Sequence, residues 1–208
     1  MKKIVLLILV LVVNYSCTPI SHMKLMNDPD VRIVFNEEEI SSLGLIVNFF
    51  DSFILENTGE AQNIHQSYHQ YFETIENLES IEDLSINIGL ANSNATKTLI
   101  KKLKDREIFN EIWNYSYGYD FQTKDTLSVE LELNQRGKYV QLLELLGKNN
   151  KFFLEYYKEL QSSGTISPVN ISQFKKYFQE VKFQKEVNRL VFAVHYITIV
   201  SGEEYKNR

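Results

Sequence analysis

From Phe183 to Val200 the chain reads FQKEVNRLVFAVHYITIV, and Phe183, Val187, Leu190, Val194 and Ile197 recur in alternating steps of four and three. That spacing stacks side chains along one side of an α-helix, because a turn takes about 3.6 residues. Val191, Phe192 and Tyr196 widen the stripe beyond a single face. A helix this apolar must be covered from several directions, so the chain has to supply other helices to surround it. Asn170 with Gln173 three residues on has the capping-box pattern, which predicts one long helix from Asn170 to about Val200 at the centre of a bundle. Its purely apolar part is too short to cross a bilayer, which takes about 20 apolar residues.

The rest of the sequence offers the covering helices. In NEEEISSLGLIVNFFDSFILENTG, Ile40, Leu43, Val47, Phe50 and Ile54 keep helical spacing, Glu37 to Glu39 suit the positive end of a helix, and Gly59 is a stop. Ile64, Tyr68, Tyr71, Phe72 and Ile75 mark another helix from about Ala61 to Leu78. TKTLIKKLKDREIFNEIWNY reads as one or two more. GKYVQLLELLG and NNKFFLEYYKELQSSG follow, and Gly147 and Gly164 stand where a left-handed residue would end each of them. Ser167-Pro168 breaks the chain, and VRIVF at 31–35 reads as a short extended piece.

One region departs from this period. Trp113, Tyr115, Tyr117, Tyr119 and Phe121 fall at every second position, as do Leu127, Val129, Leu131 and Leu133 on the far side of QTKDT. Alternation of that kind on both sides of a short polar stretch predicts a hairpin. The fold class is therefore mainly α: a single-domain bundle of about six helices with one small β-hairpin at about 115–133.

The N-terminus is a separate problem. Lys2 and Lys3 precede ten uninterrupted apolar residues, Ile4 to Val13, and the sequence's one cysteine, Cys17, follows shortly after. A basic start, a short apolar run and a small residue at the exit make a secretory signal. Val12 and Val13 as the apolar approach, Ser16 before the cut and Cys17 as acceptor resemble the signal of bacterial lipoproteins, with Asn14 and Tyr15 where that class usually has a leucine-like and a small residue. The resemblance implies that residues 1–16 are removed and that Cys17 carries acyl chains such as palmitate. Residues 17–30 then form a lipid-anchored tether and 31–208 the helical domain. Thr18 after the cysteine, where an aspartate would retain some lipoproteins at the inner membrane, favours the outer membrane.

Composition limits what such a domain can do. With 27 acidic residues against 22 basic and no basic cluster, it is not built to bind nucleic acid. With no cysteine after Cys17 it has neither disulfides nor a thiol nucleophile. His65, His69 and Glu73 succeed each other at four-residue steps on one side of a predicted helix, a geometry that can hold zinc. Gln66 stands where the HExxH pattern needs its basic glutamate, so the bland reading is a polar, solvated face. His195, inside LVFAVHYITIV, reads as a core histidine with one satisfied hydrogen bond. Trp113, Tyr115 and Tyr117 form either a stacking surface for sugar rings or one wall of the core. Glu130 and Glu132 share a strand face, as surface carboxylates commonly do.

These features together lead to the expectation of an envelope lipoprotein with a non-catalytic binding or assembly role towards other envelope proteins or a saccharide. The alternatives are a metal-dependent hydrolase built on His65, His69 and Glu73, and a glycan-binding lipoprotein built on the aromatic row.

Overall fold

The computed structural model describes residues 24–58, 63–76, 94–119, 126–166 and 168–201. The fold begins earlier than the tether predicted for 17–30 would allow, because Leu25 is fully buried. The Asp28 carboxylate accepts from the backbone N–H of Asp30 and of Val31, at 3.0 and 3.3 Å, and opens helix α1 (Pro29–Val34). Val31 to Val34 are thus helical rather than extended, and only Phe35, the C-cap, is extended. A capping aspartate with proline at the first helical position outweighs the β-branched run that follows.

Asn36 and Glu39 exchange side-chain-to-backbone bonds of 2.8 and 2.9 Å, a reciprocal cap at the entry to α2 (Glu37–Thr58). Its buried face carries Ile40, Leu43, Val47, Phe50 and Ile54, as the spacing predicts. Gly59, the expected stop, lies outside the described residues. Then come α3 (Ile64–Glu76), α4 (Asn94–Lys104) and α5 (Glu107–Ile112).

Helix α5 runs directly into strand β1 (Trp113–Tyr119), which pairs antiparallel with β2 (Thr126–Leu133). Trp113 stands opposite Leu133 and Tyr115 opposite Leu131, and the register slips at Gly118/Tyr119. The predicted hairpin is present and starts two residues earlier than expected.

Helices α6 (Lys138–Gly147) and α7 (Lys151–Ser163) follow. Gly164 adopts φ 75° and ends α7 as the left-handed residue the sequence implies. Gly147 has another job. A Cβ there would sit 2.9 Å from the Leu154 Cα, so this glycine lets α6 and α7 approach closely.

The long helix expected from Asn170 is two helices, α8 (Pro168–Tyr177) and α9 (Glu186–Ser201), with a 3₁₀ turn at Phe178–Glu180 between them. Pro168 starts α8, so Asn170 sits inside the helix and does not cap it. No glycine or proline makes the break. Instead, side chains of α9 reach back to the loop's carbonyls: Asn188 donates to Lys182 at 3.0 Å and Arg189 to Phe183 at 2.7 Å. Backbone groups freed from a helix are thereby satisfied, which is the condition for leaving one.

With α1, the split of 94–112 and the split of the last helix, the described residues hold nine α-helices rather than about six. Helix α9 is buried nearly all round, as its wide stripe demands. Phe50, Phe72, Phe174 and Phe183 pack against its Phe192 and Tyr196 with ring centroids between 4.6 and 6.2 Å apart. Among the described residues no helix is long and apolar enough to cross a membrane.

Candidate functional site

One turn into α9 the chain places an arginine in its core. Arg189 is 3% exposed, and a buried cation is tolerated only when its donors and its charge are matched. The guanidinium meets both demands. Its Nε donates to the two carboxylate oxygens of Asp51, on α2, at 2.9 and 3.2 Å. Its Nη1 donates to the Phe183 carbonyl at 2.7 Å, and its Nη2 to Glu186 Oε1 at 3.1 Å. From α3, the Tyr68 hydroxyl donates to Asp51 Oδ1 at 2.7 Å. Three helices are joined here by one polar cluster.

The charges do not balance. Among the described residues, two carboxylates share one buried guanidinium, and Lys24, which is exposed, adds positive charge. Burial raises the Asp51 carboxyl above its ordinary value, with Arg189 the chief opposing influence. Glu186 is 5% exposed, and its Oε2 is buried with no hydrogen-bond partner. Burial outweighs Arg189 and Lys24 there and pushes the carboxyl up to about 7. Burial, followed by the Asp51 charge, holds the Tyr68 hydroxyl well above its usual range, so it stays a donor.

The histidine pair lies just across the Phe183 ring from this cluster. His65 and His69 meet edge to face, with centroids 4.4 Å apart, and both face Phe183 at 6.3 and 5.2 Å. They are half-buried under the segment joining α8 to α9, so the solvated face expected for them is a packed one. Burial, then the neighbouring His65, lowers the His69 imidazole below its ordinary value, while the Val181 backbone and the Gln179 side chain hydrogen-bond to it. Glu73 is exposed and accepts from Gln179 at 3.3 Å. Among the described residues, no group of three or more His, Cys, Asp or Glu side chains is placed to hold a metal ion.

His195 is the core histidine that the sequence implies. Its Nδ1 lies 3.1 Å from the Tyr156 hydroxyl, its Nε2 is buried without a partner, and its ring stacks on Phe174 at 3.7 Å. Burial lowers its imidazole to about 3, so it is neutral at any physiological pH.

The aromatic row divides along the strand. Trp113 is fully buried, and its indole N–H donates to Thr198 on α9 at 2.8 Å, so this ring is core and cannot stack on a sugar. Tyr115 is half-buried beneath the Lys104 ammonium, 5.1 Å from its ring centroid, and Tyr117 is 52% exposed. The hairpin therefore emerges from the core as it proceeds. Glu130 and Glu132 are half-exposed on the strand face opposite the buried Leu131 and Leu133.

Comparison with known proteins finds no matching family model, curated protein or solved structure. The site must be read from its chemistry alone. Asp51, Glu186 and Arg189, the residues with the most distinctive environment, are ones that sequence periodicity passes over. A signal was present: an arginine embedded in VNRLVFAV and an aspartate in FFDSF, each a charge inside an apolar run that needs a buried partner. The cluster sets two carboxylates on one guanidinium in the interior, and burial raises both carboxyls above their ordinary values.

Proposed function

We propose that this chain is a lipid-anchored component of a bacterial envelope whose helical domain binds or assembles with partners at the membrane surface, rather than catalysing a reaction. The observation that carries this reading is the position of Leu25. Leu25 is fully buried, and six residues, 18–23, separate the acceptor Cys17 from Lys24. Seven residue steps span at most about 25 Å, so an acylated Cys17 would keep the domain against the bilayer. A domain on so short a leash meets partners at the membrane and does not reach across the envelope. Several polar side chains of the domain are engaged in the fold: Trp113 with Thr198, His195 with Tyr156, Glu73 with Gln179, Arg189 with Asp51 and Glu186.

Mass spectrometry of the N-terminal peptide, from wild type and Cys17→Ala expressed in a bacterium, tests the reading. An acylated cysteine at the start of the mature chain is the expected result, with the wild type in the membrane fraction and the variant released. An unmodified chain, soluble and cut elsewhere, would overturn it.

A further inference from the structure

We propose that His69 is a proton-operated latch: its neutral imidazole holds the turn Phe178–Val181 against α3, and its protonation releases that turn. The contacts gather on one side of α3. Between centroids, the His69 ring is 5.9 Å from Phe178, 5.2 Å from Phe183 and 4.4 Å from His65. Phe72, three residues on, meets the same two phenylalanines at 5.9 and 5.8 Å. Phe178 is fully buried. One turn beyond His69, Glu73 accepts from Gln179 at 3.3 Å. The two halves of the segment joining α8 to α9 are held differently. Its later half is tied to α9, where Asn188 bonds the Lys182 carbonyl and Arg189 the Phe183 carbonyl. The turn before it leans on α3, with His69 at the contact.

The ring nitrogens decide which form fits. The Val181 backbone and the Gln179 side chain hydrogen-bond to the imidazole, while its Nδ1 is buried with no hydrogen-bond partner, so those bonds fall to Nε2. A neutral ring protonated at Nε2 suits this place. An imidazolium carries a proton on both nitrogens, and the second would be a buried donor at Nδ1 with nothing to accept it. Burial and then His65 disfavour the cation, and they outweigh Glu73, Val181 and Gln179, which favour it. Among the described side chains, the other charged groups nearby stand off: Glu180, Lys182 and Lys185 of the segment and Glu56 of α2 are exposed. Asp51 of α2 and Arg189 of α9 pair with each other across the Phe183 ring, and Tyr177 of α8 is half-buried. Release lets the imidazole return to its ordinary value of 6.5, so the open form binds the proton more readily. The closed turn is therefore fully favoured above about pH 6.5 and loses ground as the pH falls below it. Opening bares the Phe178 ring and the Phe72 ring that it covers, so acid turns a packed surface into an apolar one. None of these contacts involves the anchor, and the latch works with or without acylation.

Amide hydrogen exchange of the full chain tests the latch, read at Val181, whose N–H donates to the Phe178 carbonyl at 3.0 Å. After correction for the intrinsic rate, Val181 protection should fall by up to about tenfold per pH unit between about pH 6.5 and 5.5, the signature of one proton. Dilute urea should leave that exchange unchanged while it speeds the core amide of Leu190, as a local opening requires. His69→Phe keeps a ring against Phe178 and should remove the pH dependence at Val181. Protection that is flat with pH in the wild type, or a slope that persists in His69→Phe, would overturn the latch. So would Val181 exchange that follows urea as Leu190 does, because the turn would then open only with the whole fold. Should His69→Phe fail to fold, the wild-type His69 ring resonances decide: they are expected to titrate below the ordinary histidine range, and an ordinary midpoint overturns the proposal.

Discussion

A buried donor with one acceptor matters most when that acceptor is removed and nothing replaces it. The Trp113 indole has Thr198 Oγ1 at 2.8 Å, and Thr198 passes its own proton to the Val194 carbonyl at 2.7 Å. Thr198→Val keeps the shape and orphans the indole N–H, at an expected cost of about 1–3 kcal/mol. Trp113 is the one tryptophan, so its emission follows unfolding in urea directly. A midpoint equal to wild type would show that the bond contributes nothing. At this scale the sequence speaks only where one residue's neighbourhood suffices. The core role of His195 is legible from the apolar run around it. The partner of Arg189 is not, because Asp51 lies 138 positions earlier and only the packing of α2 on α9 brings them together. Trp113 and Tyr117 share a strand face and look equivalent in sequence, yet one is fully buried and the other 52% exposed, because the hairpin leaves the core between them.

Helices and strands were more legible than side-chain partners, since periodicity is local. The faces of α2 and α3 follow from their spacing, α6 and α7 lie where their glycines mark them off, and the hairpin follows from its alternation. The long helix predicted to start at Asn170 is broken where Asn188 and Arg189 bond the carbonyls of the loop at 182–184, side-chain contacts that apolar periodicity does not encode. The two helix-ending glycines make the same point and can be separated by substitution. At Gly164 a Cβ would meet nothing within 4 Å, but φ 75° is strained for any L side chain. Gly164→Ala should therefore cost about 1 kcal/mol. At Gly147 the backbone is ordinary, but a Cβ would press on Leu154 Cα at 2.9 Å and force α6 and α7 apart. Gly147→Ala should cost more, about 2–3 kcal/mol. Thermal melts of the two variants give the order. If Gly164→Ala were the more damaging, close approach of α6 and α7 would not be the reason for a glycine at 147.

At the scale of the whole molecule, two buried groups set opposing pH dependences. Glu186 has its carboxyl raised from 4.5 to about 7 by burial, and His195 its imidazole lowered from 6.5 to about 3 by burial. Between about pH 4.5 and 6.5 the folded chain carries a proton on Glu186 and none on His195, while the unfolded chain does the reverse. For Glu186 the folded state binds the extra proton, so its contribution to stability falls as pH rises through the window. For His195 the unfolded state binds it, so stability falls as pH drops. The two linkages have equal size and opposite sign there, about 1.4 kcal/mol per pH unit each. Glu186→Gln should expose the histidine, and its stability relative to wild type should rise by about that slope from pH 5 to 6. His195→Phe preserves the stack on Phe174 and should do the opposite, gaining on wild type as the solution is acidified. Asp51, also raised by burial, is common to wild type and His195→Phe and drops out of that difference, whereas in Glu186→Gln it keeps Arg189 to itself and its own carboxyl shifts too. Urea titrations at half-unit pH steps measure both slopes. Parallel curves for wild type and His195→Phe would mean that water or a partner reaches His195. Parallel curves for wild type and Glu186→Gln would mean that the second carboxylate of the cluster is ionised in the fold.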